Sequence, residues 1–305
     1  MKKLTVCVCA ALLPIALGSL TEKPCGANSP RLSSCSLAPP PASSGLHLRA
    51  HPRIILDDSL RGQGKLYSSN WSGYGSTATP YAPDTVTTVT GTWTVPAVTS
   101  TAGNGQAAYS AIWVGIDGLD DGTVEQLGTM QAAEVVSQGY GRNAKTVTET
   151  AYYAWIEMYP AGMVELPGTV KPGDVITASV TCVGDVFTLT MTDSTEDWTY
   201  TTTATSAAPE RQSAEWVVEA PAEEFGRFTE ILPLAKFSTP VGFTGCSATI
   251  DSLLGPIDRS GFTVDEVIMA TANGTVKAQP SASTDTTSAT TGLTTSSFTV
   301  TWGHD

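Results

Sequence analysis

Two residues far apart in the chain could work on a single water molecule. Glu215 stands in "SAEWVVE" (213–219), where strand alternation sends Glu215, Val217 and Glu219 to one face and Trp216 and Val218 to the other. Gln126 stands in "DGTVEQLGT" (121–129), on the same side as Val124 and Gly128, with Glu125 turned to the opposite side. A carboxylate can take a proton from water as a general base, a contribution of about 10²–10⁴-fold. A primary amide can accept from that water while its NH₂ group donates to a developing oxyanion. Gly128 would let another backbone come close. A glutamate with a reference pKa of about 4.3 suits acidic conditions. Taken alone, the pattern does not separate these two from Gln131, Glu149, Glu157 or Glu219, because strand glutamates usually face water and an interior glutamine is usually a satisfied structural amide.

What is missing narrows the chemistry further. The three histidines are His47, His51 and His304, all near the N-terminal third's leader or at the extreme C-terminus. A Ser-His-Asp arrangement needs an imidazole beside its nucleophile, and zinc hydrolases usually need a His ligand. No CxxC occurs, so no metal site is expected. Carboxylates, amides and water remain, with no cofactor implied. Only Cys182 and Cys246 lie in the body of the chain; they could pair in an exported protein, although a buried free Cys182 fits the apolar strand face of Ile176, Ala178 and Val180 equally well.

The elements that must position these groups are strands. "AIWVGI" is apolar on both faces, "TETAYYAWIEMYP" puts Tyr153, Trp155, Glu157 and Tyr159 on one face, and "ITASVTCVGDVFTLTMTD" reads as a hairpin turning at Gly184. "SFTVTW" is a terminal strand, and "SASTDTTSATTGLTTSS" before it reads as a long polar loop. Helix signals are weak, with one short turn or helix expected around Pro221–Phe228. Many short strands with regular turn residues predict an all-β antiparallel sandwich.

Ahead of this body the chain changes character. "MKKLTVCVCAALLPIALGS" reads as a secretory signal peptide, residues 1–19, too short and wrongly flanked for a membrane span. Residues 20–66 are rich in Pro, Ser and Arg and read as a largely unstructured basic leader, with the boundary near Lys65 and the catalytic domain from 67 to 305. Eight Lys and Arg oppose three acids before Tyr67, whereas eight oppose twenty-six from Tyr67 onward, giving the net charge of −13. Opposite charges predict a leader held to the body by attraction that acid would loosen. The acidic body argues against nucleic acid as a partner. Sequons occur at Asn70 and Asn273.

Nine segments in order resemble the glutamic peptidases, or eqolisins: "NWSGY" (70–74), "WTVP" (93–96), "WVGIDG" (113–118), "VEQLGT" (124–129), "AYYAWIEMYP" (151–160), "KPGDVI" (171–176), "SAEWVVE" (213–219), "FTGCSAT" (243–249) and "SFTVTW" (297–302). The resemblance implies a concanavalin A-like sandwich of two curved antiparallel sheets, with substrate across the concave face. It puts the catalytic dyad on Gln126 and Glu215, with Trp113, Asp117, Trp155 and Glu157 lining the cleft and supporting the dyad. It further implies a secreted, monomeric acid endopeptidase acting on polypeptides, insensitive to pepstatin, whose own propeptide is an intramolecular inhibitor and which leaves the membrane once its signal is removed. Glu125 and Leu127 depart from the fungal "LQTG", and Tyr153 replaces an acid. Two other readings fit a sandwich: a lectin-like carbohydrate-binding module, and a glycosidase using Glu157 and Glu215, which needs the two carboxyls about 5–10 Å apart.

Overall fold

Every regular element among the described residues is a strand, as the alternation and frequent turn residues dictate. The computed structural model describes residues 48–57, 64–139, 144–206, 208–225 and 228–305. The segments read above as signal peptide and leader lie, through residue 47, outside the described residues. In chain order come β1 (Leu48–Arg49), β2 (Ile55–Asp57), β3 (Lys65–Ser68), β4 (Trp71–Ala78), β5 (Val86–Thr94), β6 (Val98–Thr99), β7 (Ala107–Ile116) and β8 (Val124–Gln138). Next are β9 (Lys145–Tyr159), β10 (Val164–Thr169), β11 (Val175–Val183), β12 (Val186–Asp193), β13 (Trp198–Thr205), β14 (Ser213–Glu219), β15 (Ala222–Phe225) and β16 (Phe228–Ile231). The last are β17 (Lys236–Phe237), β18 (Val241–Ile250), β19 (Leu253–Gly255), β20 (Phe262–Ala270), β21 (Val276–Pro280), β22 (Thr284–Thr287) and β23 (Thr294–Trp302).

Two curved sheets face each other. The first runs β10-β9-β8-β7-β14-β4-β20-β3, antiparallel except for the β20–β3 pair. The second runs β13-β12-β11-β5-β18-β23, and β21 joins the two by pairing with both β20 and β23. Between them lie Ile112, Val114 and Ile116 of β7, Trp216 and Val218 of β14, and Val89 and Trp93 of β5. Trp216 Nε1 donates to the Thr90 carbonyl at 2.8 Å and Trp93 Nε1 to Thr129 Oγ1 at 3.0 Å, so each indole satisfies its one polar group while its ring fills the core. Gly91 permits this approach: a Cβ there would lie 2.9 Å from both Trp216 and Val114. With Trp216 and Val218 facing inward, alternation leaves Glu215, Val217 and Glu219 on the outer face of the first sheet.

The structure corrects three expectations and decides between the two states left open for the cysteines. The leader is not unstructured at 48–57: β1 pairs with β15, β2 pairs with β3, and Ala50 is fully buried, because its apolar positions and N–H groups meet matching groups on the body. The Pro221–Phe228 piece is not helical but the strand β15, which receives β1 on one side and β16 on the other. The Ser/Thr tract folds back as a hairpin, β22 on β23, held by its backbone ladder and by a Thr287–Thr294 hydroxyl contact of 2.8 Å. Cys182 and Cys246 are both free buried thiols. They sit on β11 and β18, on opposite sides of β5, and two strand spacings of about 4.8 Å exceed the reach of about 7 Å between Cα atoms that a disulfide tolerates.

Candidate active site

Strand register lines the candidate residues up. Glu215 of β14 lies between Gly75 of β4 and Gly115 of β7, Gly115 is opposite Gln126 of β8, and Gln126 is opposite Glu157 of β9. Gln126 and Glu215 are therefore about 10 Å apart along the backbone, with a glycine alone between them. A Cβ at Gly115 would fall 2.9 Å from the Trp113 ring and 3.1 Å from Gln126 Cβ. We expect Gly115→Ala to displace the Gln126 side chain and cut activity by about 100-fold, the scale of a 1 Å misplacement. Steady-state kinetics beside a thermal melt would check this: activity should fall far more than stability.

The next row places Val217 beside Trp113, then Gly128 and Trp155. Gly128 serves packing rather than access, since a Cβ there would lie 2.3 Å from the Ile112 carbonyl oxygen and 2.6 Å from Trp113 Cβ. The third row runs Trp71, Glu219, Ala111, Met130 and Tyr153. Trp71 meets Trp113 edge to face at 4.8 Å, and Trp113 Nε1 donates to Glu219 Oε2 at 2.9 Å. The face is thus an apolar bed with a few polar groups set into it.

Those polar groups are all buried. Gln126, Glu215 and Glu219 have no exposed surface and Glu157 has 1%. Gln126 Nε2 donates to Glu157 Oε2 at 3.1 Å, which fixes the amide and leaves its second N–H free to donate elsewhere. Gln126 Oε1 and both carboxyl oxygens of Glu215 have no hydrogen-bond partner within the protein. Burial pushes the Glu215 carboxyl well above the usual carboxylate range, with Asp117 among the charges that add to it. Burial does the same to Glu157, reinforced by Glu219 and partly offset by Arg49 and the Ala50 N–H. Glu219 rises to about 8 for the same first reason, opposed by the N–H of His51 and the Trp113 indole.

Asp117 is placed differently from the expectation that it shares the cleft with Trp113. It has a left-handed φ of 74° just past the end of β7. Its carboxylate accepts from the backbone N–H groups of Glu210, Arg211 and Gln212 at 2.7–3.0 Å, anchoring the turn that leads into β14. Its own N–H donates to the Ser213 carbonyl at 3.0 Å. Asp117 therefore locates the strand that carries Glu215. Trp155 lies in the apolar bed with its Nε1 unpartnered, and Glu157 lies beside Gln126.

Leader residues cover this face. Ala50 packs among Trp71, Trp113, Trp155 and Val217. Arg49 pairs with Glu224 at 3.4 Å and bonds to the Pro160 carbonyl. Among the described residues His51 brings the one imidazole on this face, with its ring 5.2 Å from that of Tyr159. Arg53 is buried, donating through Nε to the Leu119 carbonyl at 2.9 Å and pairing with Asp120 at 3.0 Å. Reading the sequence alone missed Gly115, which only the register puts between the two partners. It also left Asn70, Trp71 and Glu219 without a role; a second acid four residues after Glu215 on one strand face was the available signal for Glu219.

The face is floored by carboxyls, one fixed amide and indoles, the groups that a hydrolase without a bound metal could use. Comparison with known proteins gives that class its family. The model of the peptidase A4 family matches residues 69–291, and the chain belongs to that family: it is a glutamic endopeptidase. Scytalidopepsin B of Scytalidium lignicola is 30% identical over 202 residues, 64% of this chain and 69% of that protein. The crystal structure of scytalido-glutamic peptidase with a peptide-based transition-state analogue matches with a TM-score of 0.54 at 25% identity, covering 77% of this chain and 98% of that one. Aspergilloglutamic peptidase from Aspergillus niger is 23% identical, with a TM-score of 0.45 over 64% of this chain and 99% of that one.

Proposed function

We propose that this glutamic peptidase is an exported acid endopeptidase, made as a precursor with residues 1–19 as signal and 20–66 as an inhibitory leader, and that Gln126 and Glu215 are its dyad. The observation that carries the dyad is the shared row across Gly115, with Gln126 Oε1 and both Glu215 oxygens lacking protein partners. A buried polar atom of this kind costs about 1–3 kcal/mol unless something bonds to it, and a water held between amide and carboxyl meets that need. Glu215 then takes the water's proton as oxygen attacks the scissile carbonyl, and the free N–H of Gln126 donates to the oxyanion. Glu157 keeps the amide turned the right way. The peptide-based analogue bound by scytalido-glutamic peptidase is in keeping with a peptide lying on this face.

The leader's path supports inhibition. Residues 49–53 occupy the face and hold Glu157 and Glu219, the first through Arg49 and Ala50 and the second through the His51 N–H, so a peptide could not lie there at the same time. The full-length protein incubated at pH 4 should shorten itself near residues 60–70 and then degrade a casein-type substrate between about pH 2 and 5, with pepstatin present. Activity that peaks at neutral pH, or that pepstatin removes, would overturn the reading.

A further inference from the structure

The segment His51–Ile54 is held on the outer face through its main chain. His51 N–H donates to Glu219 Oε1 at 2.8 Å. The His51 carbonyl accepts from Trp71 Nε1 at 2.8 Å and from Asn70 Nδ2 at 3.1 Å. Asn70 Nδ2 also reaches the Pro52 carbonyl at 3.4 Å, and Asn70 Oδ1 accepts from the Ile54 N–H at 2.8 Å. One amide therefore reads a carbonyl and an N–H three residues apart. The clamp is itself braced: Asn70 Nδ2 lies 3.3 Å from Glu219 Oε1, Ser68 Oγ donates to Asn70 Oδ1 at 2.9 Å, and Trp113 Nε1 holds the other oxygen of Glu219. Asn70, Trp71 and Glu219 are all fully buried. Burial of Asn70, the first of the two sequons, also leaves no room for a glycan in the folded chain.

None of these contacts depends on the identity of the held side chain. The His51 ring points away, with Tyr159 Oη 3.3 Å from its Nε2. The preceding residue, Ala50, presents its N–H to Glu157, the carboxyl that fixes Gln126, so the clamp begins one residue along from the dyad. We propose that Asn70, Trp71 and Glu219 clamp the main chain of a bound polypeptide substrate, and that the clamp demands a free N–H at the position His51 occupies while accepting proline at the next. The inference rests on the reading that the leader lies where substrate lies. It makes the enzyme tolerant of side chains there but intolerant of an N-alkylated residue at the two positions that His51 and Ile54 occupy, the first read by Glu219 and the second by Asn70. A chain that bends at the position Pro52 occupies satisfies it, since a carbonyl and an N–H three residues apart would point to opposite sides of a straight strand.

Glu219→Gln tests the clamp at constant volume. One arm of the new amide is an NH₂ that cannot accept, so either the peptide N–H or the Trp113 indole loses its partner. Full-length wild type, Glu219→Gln and Asn70→Ala, incubated at pH 4, would be assayed on a peptide substrate N-methylated at each position in turn. At one position N-methylation should raise KM at least about tenfold in wild type and less than about threefold in Glu219→Gln, the scale of one lost buried hydrogen bond. Equal penalties in both proteins at every position overturn the clamp. A second readout needs no peptidase activity: trypsin at neutral pH should cut after Arg49 and Arg53 at least about tenfold faster in Asn70→Ala, with the near-UV tryptophan spectrum unchanged. If wild type cleaves no peptide, the peptidase reading fails, and unchanged trypsin rates then overturn the clamp as well.

Discussion

Glu215→Gln is expected to lose at least about 10³-fold in activity toward an unfolded protein at pH 3–4, with no loss of folding. Glutamine fills the same volume and needs no charge, and its remaining carbonyl oxygen can still accept from the Ser213 hydroxyl, the one protein donor beside Glu215 among the described residues. What it loses is the ability to take or give a proton. Gln126→Ala should cost about 10²–10³-fold, the range for one oxyanion donor, while also leaving Glu157 without its partner. Rates of casein-type cleavage, paired with thermal melts, decide the matter. Full activity in either variant sinks the dyad. The carboxylate-pair alternative makes a different forecast, since it has no use for an amide, yet Gln126 is the group to which Glu157 is tied.

Thermal stability of the full-length Gln126→Ala protein, which should not shorten itself, is expected to be greatest near pH 4 and to fall as pH rises toward 8. Burial lifts Asp117 to about 7, Glu219 to about 8 and Glu125 to about 9, and lifts Glu157 and Glu215 as well. Each of these groups binds its proton more tightly in the folded chain than in the unfolded one, where carboxyls titrate near about 4–4.5. Between those values the unfolded state holds fewer protons, so raising the pH favours unfolding. The stability is therefore whole below the unfolded range and is lost progressively as pH climbs toward 7–9. Glu219 alone corresponds to a few kcal/mol, at about 1.4 kcal/mol per unit. A drop in Tm of about 10 °C or more between pH 4 and 8 is expected, at about 2–4 °C per kcal/mol for a domain of this size. Glu125 offers a control, because it lies on the face opposite Gln126 with both oxygens unpartnered and Asp117 as its charged neighbour. Glu125→Gln should flatten the decline. A Tm that is constant or rises with pH refutes the argument.

Much of the architecture was legible because it is written in alternation. The faces of β14 and β9 follow directly from residues two apart, and the "VGD" turn between β11 and β12 forms where Gly184 permits a φ of 61°. The β22–β23 hairpin was not legible, since its first strand is wholly exposed and carries no apolar period; backbone pairing alone makes it a strand. Strand β15 was missed because what orders it is β1, which is distant in sequence. Glu215 could not be told from Glu149 by pattern, since both sit in alternating strands and burial is set by what lies above the sheet. Glu149 is exposed and hydrogen-bonds to Gln138 near the far end of the β8–β9 pair. Asp117 misled for a local reason: its left-handed backbone breaks the alternation one residue beyond the strand.

The segment that covers the outer face is gripped independently at several points: by β15, by Glu224, by Asp120 and by β3. Scission anywhere between β2 and β3 would thus not empty the face. It would convert a tethered ligand, at an effective concentration in the millimolar range, into a separate peptide that obeys ordinary mass action. Onset of proteolysis would then depend on dilution, with a concentrated solution staying quiet and the same material becoming active as it disperses.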